Sequence, residues 1–204
     1  MRFEEDLLRE FASAIIGPQF HPHRTDAVIV LDYFDPQSTG DMEARIRNLE
    51  NVERVRFAAE IWHHVADKAR KKQCPVPIFC LNGLTLALPH LKELAETNGI
   101  PHHRIHLLDN GAVGEGNTLT QLKLVANDPA IGRAKHVTIV SSSYHLPRIR
   151  RTANTCLPPD VKMWHSIFGV PFERIPFDVA TVQAEINRII VYSDKGDISR
   201  HGRH

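Results

Sequence analysis

The chain has 204 residues, and its shares of hydrophobic residues, 42 %, and charged residues, 24 %, are those of an ordinary globular protein. This composition excludes a wholly disordered chain, and the length favours a single domain. Lys and Arg number 25 against 24 Asp and Glu, which leaves a formal net charge of +1. Proteins that coat a phosphate backbone carry a large basic excess, so we expect no nucleic-acid partner.

Cysteine usage and hydropathy bear on the cellular location. The three cysteines, Cys74, Cys80 and Cys156, form no CxxC pair, which disfavours a disulfide scaffold and a thiolate zinc site. No run approaches the roughly 18–20 apolar residues that span a bilayer. The first residues are acidic where a secretory signal is basic. We therefore expect a cytoplasmic protein without a membrane anchor.

Hydrophobic periodicity predicts an alternation of helices and strands. The N-terminal residues predict an amphipathic helix whose apolar side is formed by Phe3, Leu7, Leu8, Phe11 and Ile15. Short apolar runs predict strands at residues 27–31, 76–81, 104–108, 136–141 and 161–165. Apolar residues at helical spacing predict helices at 52–70, 86–98, 118–127, 146–155 and 177–193, the second of them ended by Gly99. The polar stretch 35–50 lacks this periodicity and predicts a long loop or lid.

Strand and helix alternate five times, which is typical of a parallel sheet covered by helices on both faces. The sequence therefore predicts an α/β protein, a Rossmann-like three-layer sandwich of about five parallel strands with an additional N-terminal helix. No internal repeat and no linker rich in Pro, Gly or Ser divides the chain. We interpret residues 1–204 as one domain, with 1–25 as the N-terminal helix and lead-in and 199–204 as a basic tail.

In an open parallel sheet, ligands bind in the crevice beyond the carboxyl ends of the strands. The most informative segment there follows the fourth predicted strand and contains Ser141, Ser142, Ser143, Tyr144, His145 and Arg148. The hydroxyl groups, the arginine and a helix N-terminus predict an anion cradle, and His145 is the candidate acid or base. In the alternative interpretation, the serines cap the following helix and the histidine binds a local backbone group.

Three further segments follow predicted strands. Asn117 and Thr118 are candidate ligand contacts, or else the N-cap of the next helix. Asn82 and Gly83 are candidates because glycine lets the backbone approach a ligand closely, although it also permits a turn with positive φ. Asp32 and Tyr33, with Asp35 beyond them, offer a carboxylate for an amine, a ribose hydroxyl or a metal, or form an ordinary loop.

Other catalytic and metal motifs are absent from the sequence. There is no HExxH, no GxGxxG after the first strand, no GxxxxGK[ST] and no GxSxG. The remaining histidines occur as neighbours, as in His63-His64 and His102-His103, whose side chains point apart on a helix. We therefore predict no metal site.

The chain resembles the YdcF-like family of bacterial domains of unknown function, whose superfamily includes the SanA and ElyC envelope proteins. The resemblance spans residues 26–198 and is carried by these segments: Asp26–Leu31 (DAVIVL), Arg54 in the following helix, Leu81-Asn82-Gly83, Gly99-Ile100-Pro101, Asn117-Thr118, the run from Val140 to Arg148 (VSSSYHLPR), and Glu185, Arg188, Gly196 and Asp197. The chain departs from the family at Asp32-Tyr33, where the family has Gly-Gly, and at Thr120-Gln121, where it has Glu-Asn.

The resemblance implies a Rossmann-like fold and S-adenosylmethionine as a ligand, with no settled reaction. From the residues and the resemblance together, we expect a protein that binds a nucleotide-like or S-adenosylmethionine-like anionic ligand, as a transferase or hydrolase. The alternative is a ligand sensor or interaction protein without catalysis. The two departures imply that the ligand differs from the family's or that activity is lost. The sequence leaves the oligomeric state open.

Overall fold

The computed structural model describes residues 2–16, 22, 24–33, 41, 48–112, 117–156 and 164–199. Five strands lie in this part of the chain: β1 Ala27–Leu31, β2 Ile78–Gly83, β3 Ile105–Asp109, β4 His136–Ser142 and β5 Trp164–Val170. Its α-helices are α1 Arg2–Ile16, α2 Leu49–Lys71, α3 Leu88–Thr97, α4 Thr118–Asn127, α5 Leu146–Cys156 and α6 Val179–Asp194. A short 3-10 segment, Ser143–His145, joins β4 to α5.

All described strand pairs are parallel, and the order across the sheet is β3-β2-β1-β4-β5. The predicted α/β Rossmann-like sandwich is confirmed. The chain runs outward from β1 through β2 to β3, then returns to place β4 on the other side of β1. This reversal opens a crevice between the carboxyl ends of β1 and β4, which is where ligands bind in such sheets.

Side chains of β1 alternate between the two faces of the sheet, as the period of two requires. Val28 and Val30 belong to one core with α2 and α3, and Ala27, Ile29 and Leu31 belong to a second core with α4 and α5. All five residues are buried. Burial on both faces explains why β1 is an unbroken apolar run.

The N-terminal helix α1 packs against α6 through Leu7 and Phe11, which contact the buried face of α6 and Ile198 beyond it. Leu8, expected on the same apolar side, is instead 57 % exposed. Only a narrow stripe of α1 contacts its neighbours. The step of one residue from Leu7 to Leu8 is therefore enough to point the Leu8 side chain toward solvent. None of the helices in the described ranges is long and apolar enough to cross a membrane.

Some predicted boundaries are wrong. The strand expected at 161–165 is β5, which begins at Trp164 and pairs with β4 as far as Val170, opposite Ser142. Gly169 permits this, because a Cβ there would lie 2.6 Å from the Cα of Ser143. β2 likewise extends to Gly83 rather than ending at residue 81.

The expected loop or lid at 35–50 is shortened at its end, because Leu49 and Glu50 already belong to α2. Within that stretch, the described residues are Asp41 and 48–50. Asp35, residues 115–116, residues 161–163 and all of the basic tail except Ser199 lie outside the part of the chain that the structure describes.

Candidate functional site

The crevice between β1 and β4 is built around the buried guanidinium of Arg54, near the start of α2. It donates to the Oγ of Ser142 from Nε at 2.9 Å and from Nη2 at 2.8 Å, and to the carbonyl groups of Leu31 and Asp32 at 2.9 and 3.0 Å. Its Nη2 also reaches Glu50 Oε2 at 3.0 Å. Arg54 therefore ties the ends of β1 and β4 to α2, and the geometry of the crevice depends on it.

Glu50 lies at the first turn of α2 and accepts three hydrogen bonds. Ser142 Oγ donates to Oε2 and Tyr144 Oη donates to Oε1, each at 2.5 Å, in addition to the bond from Arg54. Charge-assisted bonds of this kind are short and strong. Burial and the negative charge of Glu50 raise the pKa of the Tyr144 hydroxyl, so Tyr144 stays a donor.

His145 lies beneath this cluster and is only 6 % exposed. Its Nδ1 is 3.2 Å from Arg54 Nη2, and since a guanidinium can only donate, Nδ1 must accept. The ring proton is therefore on Nε2, which faces Glu185 Oε1 at 3.5 Å. Burial holds the pKa of His145 well below its usual value, with the nearby guanidinium groups adding to the effect against the opposing charge of Glu185. The imidazole is neutral at pH 7.

Glu185 of α6 is fully buried and links this cluster to α5. It accepts from Arg148 Nε at 2.7 Å and forms a short hydrogen bond with Arg188. Burial alone would raise the pKa of Glu185, but the Arg148 guanidinium and the hydrogen bonds from Arg148 and Arg188 outweigh it and keep the pKa below its usual value. The carboxylate is thus ionised and shared between two guanidinium groups.

Asp32 occupies the end of β1. Its Oδ2 accepts from the backbone N–H of Leu84 at 2.9 Å and its Oδ1 from Gln121 Nε2 at 2.6 Å. Burial raises its pKa against the lowering effects of these bonds and of Arg54. Asp32 and Gln121, at the two places where the chain departs from the family it resembles, therefore contact each other.

Residue 83 must be glycine because the Asp32 carboxylate packs against it, not because the chain turns there. A Cβ at residue 83 would lie 2.9 Å from Asp32 Oδ2, and the φ angle of Gly83 is not positive. The interpretation of Gly83 as a positive-φ turn is therefore wrong. Asn82 next to it is fully buried, donates to the carbonyl of Gln121 at 2.8 Å and accepts from Asn110 at 2.8 Å.

Tyr33 lies beside the buried cluster of Arg54 and His145. Asn51 holds its backbone at both ends, accepting from the N–H at 2.8 Å and donating to the carbonyl at 3.0 Å. The Tyr33 ring lies 5.8 Å from the ring of His145, and Arg54 Cζ lies 5.3 Å from its centroid. Tyr33 is thus fixed next to the imidazole.

The three serines do not converge on one point. Ser142 faces α2 and binds Glu50 and Arg54, whereas Ser141 precedes it in β4 and so faces the opposite side of the sheet. Ser143 packs against Gly169 of β5. The hydroxyl groups of Ser141 and Ser143 are buried, and neither has a hydrogen-bond partner among the described residues. Ser142 is the N-cap of the 3-10 turn but forms no side-chain cap bond, so the capping interpretation is not observed for it.

Asn117 caps α4, as the alternative interpretation predicts. Its Oδ1 accepts from the N–H of Thr120 at 3.0 Å, and Thr120 Oγ1 accepts from the N–H of Asn117 at 2.8 Å, a complete capping box. Thr118, the first residue of the helix, accepts a hydrogen bond from Arg148 Nη1 at 2.7 Å. The structure therefore brings together Arg148 and the start of α4, which are 30 residues apart.

A cleft opens beside this contact. It encloses about 40 Å³ and is lined by Asn117, Thr118, Leu119, Arg148, Thr152, Tyr192, Asp197 and Ile198. Three of these residues, Asn117, Thr118 and Arg148, are predicted ligand contacts. Asp32 and His145 are not part of its lining; they belong to the adjoining network of Arg54 and Glu185. The predicted site is thus two connected regions.

Sequence reasoning did not select four residues of this network as site residues: Glu50, Arg54, Gln121 and Glu185. A signal for two of them is present in the sequence. Arg54 stands at helical spacing with Ala58 and Ile61, and Glu185 with Val182 and Ile189, so both charged residues lie on apolar stripes. A charge on the buried face of a helix requires a buried partner, which points to a polar network.

Comparison of the chain with protein-family models, curated proteins and solved structures returned no match. The resemblance to the YdcF-like family stays a prediction carried by the motifs of the sequence. Across the described residues, no group of three or more His, Cys, Asp or Glu side chains is arranged to hold a metal ion.

Proposed function

We propose that the chain is a small-molecule binding protein of the YdcF-like family, with a nucleotide-like or S-adenosylmethionine-like anionic ligand held at the carboxyl ends of the strands. The observation that carries this proposal is Arg148. Its side chain is nearly buried, lines the cleft and donates a hydrogen bond to Thr118, the first residue of α4. A guanidinium next to a helix N-terminus favours a negatively charged group.

The local charge balance supports an anionic ligand. Glu185 supplies one negative charge to two guanidinium groups, those of Arg148 and Arg188. His145, the fourth member of this group, is neutral because burial lowers its pKa. These four groups carry one positive charge in excess, which is partly solvated because the Arg188 side chain is 43 % exposed, whereas the Arg148 guanidinium is nearly buried. An anion bound at the cleft would compensate it.

The residues at the strand ends also fit S-adenosylmethionine, the ligand that the family resemblance implies. Arg148 would hold its carboxylate, and the carboxylates of Asp32 and Glu50 are acceptors for ribose hydroxyl groups. When bound, the group would supply a transferable methyl group. This chain's own contribution is to bind and orient such a ligand.

A second candidate, binding without catalysis, is favoured by the enclosure of His145. Proton transfer requires the base to come within hydrogen-bond reach of the substrate. Here Nδ1 accepts from Arg54, Nε2 faces Glu185, and the imidazole is buried. In this arrangement His145 positions its neighbours, and a transferase or hydrolase role for it requires the residues around it to move.

The proposal is tested with Arg148→Lys, which keeps a positive charge beside Glu185 but loses the planar fork of donors. Calorimetric titration with S-adenosylmethionine, S-adenosylhomocysteine, AMP and ribose 5-phosphate should find at least one ligand of the wild type. The substitution should weaken its binding at least tenfold. Arg174→Lys is the matched control, because Arg174 also binds a carboxylate with two bonds but does so at an exposed position away from the cleft.

Equal affinities of the wild type and Arg148→Lys would contradict the proposed role of Arg148. No binding of any of the four compounds would contradict the proposed function. Chromatography of each bound compound after incubation separates the two candidates: consumption that His145→Gln abolishes supports catalysis, and an unchanged ligand supports a sensor.

A further inference from the structure

The cleft beside Arg148 is lined by a second residue with a charged side chain, Asp197. Both residues border the same small space, together with Thr118 from α4 and Tyr192 from α6. Arg148 forms its ion pair with Glu185, and the Asp197 carboxylate forms no ion pair or hydrogen bond with any described residue. Two opposite charges thus line one cleft without pairing with each other.

Arg148 keeps donors available for a ligand. Its guanidinium has five N–H bonds. Nε and Nη2 face the two oxygens of Glu185 at 2.7 and 3.5 Å, and Nη1 donates to Thr118 at 2.7 Å. Three N–H bonds are therefore used within the described structure, and two are left at the edge of the cleft.

The position of Asp197 is held by the backbone on both sides. The chain leaves α6 through Gly196, which has a φ of +80°. The N–H of Asp197 then donates to the carbonyl of Tyr192 at 3.0 Å. Ile198, the next residue, is buried in the core that α1 forms with α6. Asp197 is thus fixed at the wall of the cleft rather than carried on a free tail.

We propose that this cleft binds the zwitterionic end of an α-amino-acid-like ligand, with its carboxylate on Arg148 and its ammonium on Asp197. Asp197 would repel a simple anion, and the guanidinium of Arg148 would repel a simple cation. A neutral group would remove water from both charges and pair neither. An α-amino-acid end, in which one carbon bears both an ammonium and a carboxylate group, offers a partner to each of the two side chains. This inference rests on the proposed function, whose ligand class it narrows.

The test compares three adenosine compounds by calorimetric titration: S-adenosylhomocysteine, which carries the amino-acid group, 5′-methylthioadenosine, which lacks it, and AMP, which has a phosphate. The variant is Asp197→Asn, which keeps the size of the side chain and the backbone bond to Tyr192. Asp67→Asn is the matched control, because Asp67 is an exposed residue of α2 that does not line the cleft. Thermal unfolding establishes that both variants fold.

We expect S-adenosylhomocysteine to bind the wild type at least tenfold more tightly than 5′-methylthioadenosine. Asp197→Asn should weaken the binding of S-adenosylhomocysteine at least tenfold and leave the affinity for 5′-methylthioadenosine unchanged. Asp67→Asn should change neither affinity. If Asp197→Asn leaves S-adenosylhomocysteine binding intact, or if AMP binds best and Asp197→Asn strengthens it, the zwitterion assignment is overturned while the proposed function stands. If none of the three compounds binds, the zwitterion assignment fails, and the proposed function fails as well if S-adenosylmethionine and ribose 5-phosphate also do not bind.

Discussion

Single side chains at the crevice are held by close packing as well as by hydrogen bonds. Asp32 lies against Gly83 so tightly that any Cβ at residue 83 would meet the carboxylate. The same carboxylate accepts from Leu84 and Gln121. Moving Asp32 aside would break these bonds, so Gly83 is tied to the identity of residue 32.

We expect Gly83→Ala to lower the free energy of unfolding by about 1–3 kcal/mol, the usual cost of overpacking. Asp32→Gly removes the atoms that the new methyl group would meet, so Gly83→Ala should cost less in that background. Urea unfolding of the two single variants and the double variant measures the coupling. Additive effects of the two substitutions would contradict the contact.

His145 predicts a pH dependence of stability. Its pKa in the folded protein lies well below the unfolded value of 6.5, because burial disfavours the imidazolium. The unfolded chain therefore takes up a proton near pH 6.5 while the folded protein does not. The stability that this group contributes is complete above pH 6.5 and is lost as the pH falls toward its folded pKa, by about 1.4 kcal/mol per pH unit.

His145→Gln should remove this component, because glutamine does not titrate but offers an amide oxygen to Arg54. Urea unfolding at pH 7.5, 6.5 and 5.5 measures both proteins. The stability difference between wild type and variant should shrink as the pH falls. Parallel pH profiles would show that His145 is not buried in its neutral form.

At the scale of secondary-structure elements, α4 is positioned by its cap. The capping box of Asn117 and Thr120 satisfies backbone N–H groups at the first turn, next to the cleft. Asn117→Ala should therefore cost about 1 kcal/mol of unfolding free energy, and Asn117→Ser much less, because serine also caps helices. Thermal or urea unfolding checks this; an equal loss in both variants would contradict the cap.

The helix α1 is attached by a buried ion pair. Arg151 Nη2 of α5 lies 2.6 Å from Glu10 Oε1, and both side chains are buried. Two arginines of α5 are thus compensated by buried or nearly buried carboxylates, Arg148 by Glu185 and Arg151 by Glu10.

Arg151→Met leaves the Glu10 carboxylate buried without its partner, and we expect it to lower the unfolding free energy by about 3–5 kcal/mol. The double variant Arg151→Met with Glu10→Leu should recover much of that loss, since it leaves no buried charge. Urea unfolding of the single and double variants decides the matter. A double variant less stable than Arg151→Met would contradict this account.

At the scale of the whole molecule, the strand order sets the place where we propose that a ligand binds. All five strands are parallel, so their carboxyl ends lie at one edge of the sheet, while both faces are covered by apolar cores. The proposed site is thus continuous with these cores, and a ligand bound there should stabilise the fold.

A ligand present at 100 times its dissociation constant should stabilise the fold by about 2.7 kcal/mol. For a chain of this length that corresponds to a rise in Tm of about 5–11 °C. Thermal unfolding with S-adenosylhomocysteine measures it, and Arg148→Lys should reduce the rise at equal ligand concentration. An unchanged Tm at saturation would contradict binding to the folded state.

Much of the architecture follows from patterns between near neighbours in the chain. The apolar run of β1, the stripe of α2 and the stop at Gly99 (φ +80°) depend on residues a few positions apart, so periodicity predicts them. The end of β5 at Val170, beyond the predicted residue 165, depends on Gly169 fitting against Ser143, which local periodicity does not encode.

The same distinction between local pattern and distant contact applies to the candidate site. Residue types and their positions after strands are enough to select Asp32, Thr118, His145 and Arg148 as polar groups at the sheet edge. How these groups are connected depends on contacts between residues far apart, such as Arg54 with His145, 91 positions away. Only tertiary packing brings Ser142 to Glu50 and Arg54, encloses His145 and links Glu185 to Arg148. The physical reason is that burial and electrostatic pairing depend on distance in space, whereas a sequence records distance along the chain.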